Sequence, residues 1–404
     1  MTGIPDDQLL LQIMDHHRVE DSEEGESLEW RHRFCSALLH RAIARGDGEV
    51  VSTLLEQGAR LAIDSRDGVG LTPLHRAVLC AKGLGRIAVV RALCKSGPDL
   101  EATFEGLRPL HIAAGHGDDT LLRVLLEEGA NKDAVTTDGF SALHCAAAKG
   151  ALPCVALLLE IGVDANLKSG GPESRTPLHA AAVRGDPDIV GELLRCGAQV
   201  DVTDSDLTTA LHIAAANGNL EVARCVIEAG ANVNVTNVEG DTPLHLACMM
   251  LNHRVAKLLL SREADETAVN KYNSTPADVL KGYLMEDGRG HGNPTLVNMI
   301  SWMLARAPAD RAWRRKSGIV MMRGQFTRQW AAGKGGDDER VTETGDALSS
   351  VMGKAGRECG QRRQCWGNIG GDAEAVAGGH WSLWLRSAVE ISEEGIFRTI
   401  VSFV

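Results

Sequence analysis

Pairs of apolar residues recur four positions apart at several points along the chain. The clearest sets are Val50-Val51 with Leu54-Leu55, Leu121-Leu122 with Leu125-Leu126, and Ile189-Val190 with Leu193-Leu194. Residues four apart share one face of a helix, so each set forms a single apolar stripe on a short amphipathic helix. An extended polar turn such as Ala231-Asn232-Val233-Asn234 follows each such helix. The pattern predicts many short helices, each of which must bury its stripe against a neighbour.

A second pattern, a phrase close to Thr-Pro-Leu-His-Ala-Ala, returns six times. The copies occupy residues 71–77, 108–114, 141–147, 176–182, 209–215 and 242–248. Counting from His40, the histidines follow one another at steps of 35, 36, 33, 35, 33 and 33 residues, and one further step of 33 reaches Asp278. Thr or Ser before Pro or Ala caps a helix whose first turn tolerates proline. Each copy therefore marks the start of one helix in a repeated unit.

The phrase and its spacing resemble the ankyrin repeat, from about Arg31 to Ala307. The resemblance implies an all-α solenoid of about eight units, each a helix-turn-helix with a finger turn. A single unit cannot bury its apolar stripe, so neighbouring units must stack. We expect the insertions to lie in loops: one near residues 81–86, between two helices, and one near residues 168–172, in a finger turn.

The repeats are flanked by segments of different character. Residues 1–30 are interpreted as an N-terminal capping helix over residues 6–18, followed by an acidic loop over residues 20–29. The array, residues 31–307, is expected to close with a helix that starts near Asn293 and buries Val297, Ile300 and Leu304. Residues 308–404, which hold five of the seven tryptophans, are interpreted as a largely irregular tail, partly disordered with short helices.

Composition narrows the class of protein. Residues 1–307 hold 28 Lys and Arg against 42 Asp and Glu, an acidic balance that repels nucleic acid. No stretch approaches the roughly 18 apolar residues of a membrane helix, and the first residues lack the pattern of a secretory leader. The ten cysteines show no paired spacing. We expect a monomeric array in the cytoplasm, or in the nucleus if the basic segment 306–328 acts in import.

Seven histidines invite a metal hypothesis, which spacing argues against. They fall one per unit, and stacked helices lie about 8–10 Å apart, whereas zinc ligands must lie about 2 Å from a shared centre. The resemblance implies a structural role instead, with hydrogen bonds within and between repeats. These residues are His40, His75, His111, His144, His179, His212 and His245. Five repeat cysteines, Cys145, Cys154, Cys196, Cys225 and Cys248, are expected to be reduced and buried. No metal and no cofactor is predicted.

The tail offers motifs with open alternatives. Cys359 and Cys365 lack a second pair of zinc ligands, so a zinc site is not favoured there. Gly333-Lys334-Gly335 lacks the remainder of a phosphate-binding loop and is interpreted as a flexible linker. The basic segment 306–328 is either an import or anionic-surface signal or a helix against the acidic array. The end, Ser402-Phe403-Val404, is either a ligand for a PDZ domain or part of a self-docked helix.

The resemblance implies a protein-binding scaffold or adaptor without catalytic activity. An alternative is the substrate-recruiting subunit of an enzyme, such as a ligase or kinase complex, and a purely structural or anchoring protein is a third interpretation. In this family the residue before the Thr of the phrase points from the finger turn into the concave face. The expected partner-binding residues are Leu71, Phe104, Leu107, Phe140, Arg175, Arg184, Asp206, Glu239 and Asp241. Phe104 and Phe140 are expected to be exposed anchors, or else to pack between neighbouring fingers.

Overall fold

The computed structural model describes residues 26–80, 84–285 and 295–312, and the regular structure in these ranges is helical. The helices are α1 (Glu26–Arg45), α2 (Gly48–Glu56), α3 (Pro73–Cys80), α4 (Leu84–Cys94), α5 (Pro109–His116), α6 (Asp119–Glu127), α7 (Ala142–Lys149), α8 (Leu152–Glu160), α9 (Pro177–Arg184), α10 (Pro187–Arg195), α11 (Ala210–Asn217), α12 (Leu220–Glu228), α13 (Pro243–Met249), α14 (His253–Ser261) and α15 (Pro276–Met285). Residues 295–312 form a further helix, α16. A short 3₁₀ helix, Ala59–Ala62, follows α2.

The helices form two layers. Odd-numbered helices from α1 to α15 contact the next odd-numbered helix, and even-numbered helices from α2 to α14 contact the next even-numbered one. One odd and one even helix make a repeat, so the described ranges hold eight helix pairs. The predicted all-α solenoid of about eight units is confirmed.

The predicted apolar stripes form the core between the layers. On α6, Leu121, Leu122 and Leu125 are fully buried, as are Ile189 and Val190 on α10. Each buried side chain of this kind contributes about 1.5–3 kcal/mol relative to an exposed one. The odd-numbered helices contribute small residues, such as the buried alanines of α5, which allow neighbouring helices to approach closely. Each repeat therefore depends on the adjacent repeats to bury its apolar residues.

The repeated phrase starts the odd-numbered helices from α3 to α13, as the sequence predicts. On α7, Ser141 accepts a hydrogen bond from the backbone N–H of His144, and the helix ends at Gly150 with a left-handed φ of 85°. The insertion near residues 168–172 lies in a finger turn, as expected. The other insertion is partly absorbed by α4, which has 11 residues where the next even-numbered helix, α6, has 9.

The chain ends differ in part from the sequence interpretation. Helix α1 begins at Glu26, so residues 26–29 are helical where an acidic loop was expected. The chain divides into two units, Met1–Ala307 and Pro308–Val404. The expected N-terminal capping helix, and the tail motifs beyond residue 312, lie outside the described residues.

Two glycines allow a matched test of finger stacking. Gly139 has a φ of 75°, and a Cβ added there would collide with the backbone of Gly170 in the next finger turn; Gly129 has a φ of 97° with open space around it. We expect Gly129→Ala to cost about 1–2 kcal/mol from backbone strain alone. Gly139→Ala should cost about 1–2 kcal/mol more, because the neighbouring finger must move. Urea unfolding followed by circular dichroism checks this, and equal losses in the two variants would contradict it.

Candidate functional site

The finger turns that precede the odd-numbered helices are joined into a row by backbone hydrogen bonds. Ser205 N–H donates to Glu173 O, Val238 N–H to Asp206 O, and Lys271 N–H to Glu239 O, each at 2.9 Å. The same bond at the same register therefore joins each of the last four finger turns to the next. Together with the odd-numbered helices behind them, the finger turns form a preorganised surface, which we call the finger face.

Repeat histidines hold the finger turns from beneath, and His179 shows the geometry. Its Nδ1 accepts hydrogen bonds from the backbone N–H and the hydroxyl of Thr176, at 3.2 and 2.9 Å. Its Nε2 lies 2.9 Å from the carbonyl oxygen of Thr208 in the next finger. Because a carbonyl only accepts, Nε2 carries the proton. One neutral imidazole thus joins a helix start to the following repeat.

The same inter-repeat bond recurs along the array. Nε2 lies near the next carbonyl in His75 to Leu107 (3.3 Å), His144 to Arg175 (3.0 Å), His212 to Asp241 (3.0 Å) and His245 to Ser274 (3.1 Å). His111 differs, since its Nε2 reaches Ala134 O at 3.0 Å. The Nε2 of His40, which lies within the long helix α1, is 3.3 Å from Ser65 O.

Burial keeps these imidazoles neutral. It lowers the pKa of His111, His144, His179 and His212 to about 4, against hydrogen bonds to backbone carbonyls that act in the opposite direction. The pKa values of His40, His75 and His245 are lowered for the same reason. Within the described ranges no three His, Cys, Asp or Glu side chains are placed to hold a metal ion. The ring nitrogens act as hydrogen-bonding groups.

Most, though not all, of the repeat cysteines are buried. Burial raises the pKa of Cys145 and Cys248 to about 12 and that of Cys154 to about 11, so these thiols stay protonated. Cys196 is exposed and Cys225 is half-buried, so the expectation of burial is wrong for Cys196. Cys196 lies at the C-terminal end of α10, beyond the buried stripe, which explains its exposure.

Three of the expected partner-binding residues are buried, which corrects their expected exposure. Phe104 is 8% exposed, and its ring centroid lies 6.1 Å from that of His75. Leu71 is 6% exposed. Asp241 is also buried, where its carboxylate accepts a hydrogen bond from the Asn270 side chain at 2.8 Å. These side chains stabilise the packing of neighbouring fingers and offer little surface to a partner.

The other expected residues of the finger turns remain accessible. Leu107 and Phe140 are half-buried, and the Phe140 ring packs edge-on to His144 at 5.7 Å between centroids. Arg175, also half-buried, forms an ion pair with Glu173 at 3.1 Å. Asp206 and Glu239 are half-buried at the finger tips. The finger face therefore carries apolar surface at Leu107 and Phe140, and mostly charged groups from Glu173 to Glu239.

Arg184 lies apart from this set. It is exposed at the C-terminal end of α9, and its Nε would lie 3.1 Å from a Cβ placed on Gly150, where α7 ends. The eight residues of α9 extend about 12 Å, so Arg184 and Arg175 occupy opposite edges of the repeat. The guanidinium is placed to interact with the C-terminal dipole of α7.

Sequence reasoning missed several exposed finger residues. Val69, Leu207 and Tyr272 are among the most exposed large apolar or aromatic residues in the described ranges, Tyr272 at 71%. Glu105 and Asp138 are exposed at other tips. The signal available in the sequence was the register itself: except for Leu207, these residues stand six positions before the repeat histidine or its equivalent, Asp278.

Comparison with known proteins agrees with this architecture. The family model "Ankyrin repeats (3 copies)" matches residues 12–104, 98–169 and 178–270, more than half of the chain. The chain belongs to the ankyrin-repeat family.

Individual relatives share the repeats over part of their length. The nuclear factor NF-kappa-B p105 subunit of Gallus gallus is 33% identical over 216 residues, which are 50% of this chain and 20% of that protein. The E3 ubiquitin-protein ligase KEG of Arabidopsis thaliana is 33% identical over 144 residues, 35% of this chain and 9% of that protein. The crystal structure of the ankyrin repeat domain of Bcl-3 matches with a TM-score of 0.48 and 32% identity, covering 55% of this chain and 97% of that one.

In the described ranges, no helix has both the length and the apolar composition needed to cross a bilayer.

Proposed function

We propose that this protein is a protein-binding scaffold or adaptor that holds a partner protein on the finger face. Membership of the ankyrin-repeat family supports protein binding in general. The observation that carries the proposal is the fixed row of finger turns, joined at 2.9 Å by the same backbone bond in successive repeats. A surface that is already ordered loses little conformational entropy on association.

Phe140 is the proposed anchor of this surface. It is the large aromatic residue of the expected set that stays accessible, and His144 supports its ring from one side. Leu107, in the preceding finger turn, adds apolar area. Partly exposed aromatic residues held in a rigid setting are the usual hot spots of protein interfaces. Arg175, Asp206 and Glu239 would surround this anchor as the charged part of the interface.

The test is a double variant, Leu107→Ala with Phe140→Ala. We expect it to bind the strongest captured and repurified partner at least tenfold more weakly, a loss of about 1.4 kcal/mol, with an almost unchanged melting temperature. Leu152→Ala is the matched control, because Leu152 is an exposed leucine of the other helix layer. Normal binding by the double variant, or a loss that only follows its melting temperature, would contradict the proposed face.

A second candidate is the substrate-recruiting subunit of an enzyme complex, with the chemistry in a partner. One relative is named as an E3 ubiquitin-protein ligase, which favours this alternative to a simple scaffold. Enzymatic activity that copurifies with the captured complex, and needs the finger face to modify the captured protein, would support it. In either case we propose a monomeric cytoplasmic or nuclear array that binds protein and not nucleic acid, given the acidic balance of residues 1–307.

A further inference from the structure

The tips of five consecutive finger turns carry a carboxylate at one register. Six positions before the repeat histidine stand Glu105, Asp138, Glu173, Asp206 and Glu239, which we call the tip row. The equivalent residues at the two ends of the array are Val69 and Tyr272. The row thus has defined limits, and it borders the half-buried apolar surface of Leu107 and Phe140.

The spacing of the row is fixed by the stack. Bonds between successive fingers include Thr137 N–H to Gly106 O at 3.4 Å, and the 2.9 Å bonds accepted by the carbonyls of Glu173, Asp206 and Glu239. Packed helices lie about 8–10 Å apart, so successive tips repeat at about that distance. A ligand that follows the row must therefore present one matching group every 8–10 Å.

The carboxylates of the row differ in their partners. Glu105 and Asp138 are exposed, and neither side chain has an ion pair or hydrogen bond with any residue that the structure describes. Glu173 pairs with Arg175 at 3.1 Å, and Glu239 accepts a hydrogen bond from the Tyr272 hydroxyl at 2.9 Å. The free carboxylates thus stand beside the accessible apolar residues, at the part of the finger face where the proposed anchor lies.

We propose that this part of the finger face binds a basic segment of a partner protein in the polyproline II conformation, with Lys or Arg at every third residue. Polyproline II has three residues per turn and a rise of about 3.1 Å, which places every third side chain on one face about 9 Å apart. A β-strand alternates faces at every residue and does not reproduce this spacing. The apolar side chains of the bound polyproline II segment would contact Leu107 and Phe140. The inference rests on the proposed function and specifies the chemistry of the partner.

The probe is a fluorescein-labelled peptide of five Lys-Pro-Pro units, titrated with the full chain and followed by fluorescence anisotropy. The composition control is a peptide of five consecutive lysines followed by ten prolines. Charge reversal at the row, Glu105→Lys with Asp138→Lys, is compared with Glu128→Lys and Glu160→Lys. This second pair reverses exposed glutamates at the ends of α6 and α8, in the other helix layer.

We expect the spaced peptide to bind at least tenfold more tightly than the block peptide, and the affinity to fall with added salt. The reversal at the row should weaken binding at least tenfold, while the control pair changes it less than twofold. Equal affinity for the two peptides, equal effects of the two variant pairs, or no binding would overturn the inference. The proposed function would survive each of these results if the Leu107→Ala, Phe140→Ala variant still lost its captured partner.

Discussion

Acidification from pH 7 to about 4.5 is expected to destabilise the repeat array steeply. Four histidines, His111, His144, His179 and His212, have a pKa of about 4 in the folded protein against 6.5 for an ordinary histidine. Between these two values the unfolded chain binds protons that the folded chain does not. The contribution of these histidines to the free energy of unfolding is therefore fully present above pH 6.5, and it is lost as the pH falls towards 4. Each histidine adds a slope that approaches about 1.4 kcal/mol per pH unit.

Two carboxyl groups act in the opposite direction. The pKa values of Glu173 and Asp204 are raised, mainly by burial, so their contribution favours the folded state as the pH falls. They are fewer than the histidines. The net effect is a loss of stability on acidification.

Urea unfolding at a series of pH values measures the effect as the free energy of unfolding against pH. Replacing His144 and His179 by Asn should lower the slope between pH 6.5 and 4.5 by about 1.4 kcal/mol per unit for each residue removed. A free energy of unfolding that stays constant down to about pH 4.5 would show that the buried histidines do not control acid stability.

Removal of two neighbouring histidines is the second large effect. The double variant His144→Ala, His179→Ala should lose roughly 2–6 kcal/mol at neutral pH, since each substitution leaves buried partners without a hydrogen bond at about 1–3 kcal/mol. The partners left behind include the hydroxyls of Ser141 and Thr176 and the carbonyl of Thr208. Because the sites belong to adjacent repeats, the two losses need not add.

The control is His32→Ala, because His32 is exposed on α1 and lies outside the network. Its free energy of unfolding should change by no more than about 0.5 kcal/mol. Zinc analysis and treatment with a chelator complete the experiment. Stoichiometric zinc in the unmodified chain, or a chelator-dependent loss of helix signal, would indicate a metal role for the histidines and contradict the hydrogen-bonded one.

Periodic features of the fold were predictable from the sequence because they follow from local chemistry. The pairing of apolar residues in α6 places one stripe in the core, and Ser141 or Thr176, the first residue of the phrase, starts a helix by capping it. Even the change from histidine to Asp278 has a local explanation. Its carboxylate accepts from the Thr275 hydroxyl at 2.6 Å, which keeps the bond within the repeat.

Accessibility at the candidate site could not be predicted in the same way. Phe104 and Phe140 both stand in finger turns, but Phe104 lies three residues before Leu107 and is paired with it across the turn. Its ring packs close to His75 of the preceding repeat. Asp241 and Glu239 are two residues apart, but Asn270 of the next repeat covers only the first. Such differences arise from contacts between repeats. These contacts cover some side chains of a finger turn and leave nearby ones in the same turn accessible.

The inter-repeat histidine bond gives the array a polarity. Each imidazole donates forward, from its own repeat to a carbonyl of the next, as from His212 to Asp241. Loss of repeats from the front would free a carbonyl oxygen, whereas loss from the back would free an imidazole Nε2–H, so the two ends of a shortened array present different groups to water. In the eighth unit Asp278 stands in place of the histidine and its carboxylate bonds within the repeat, so this position provides no forward donor.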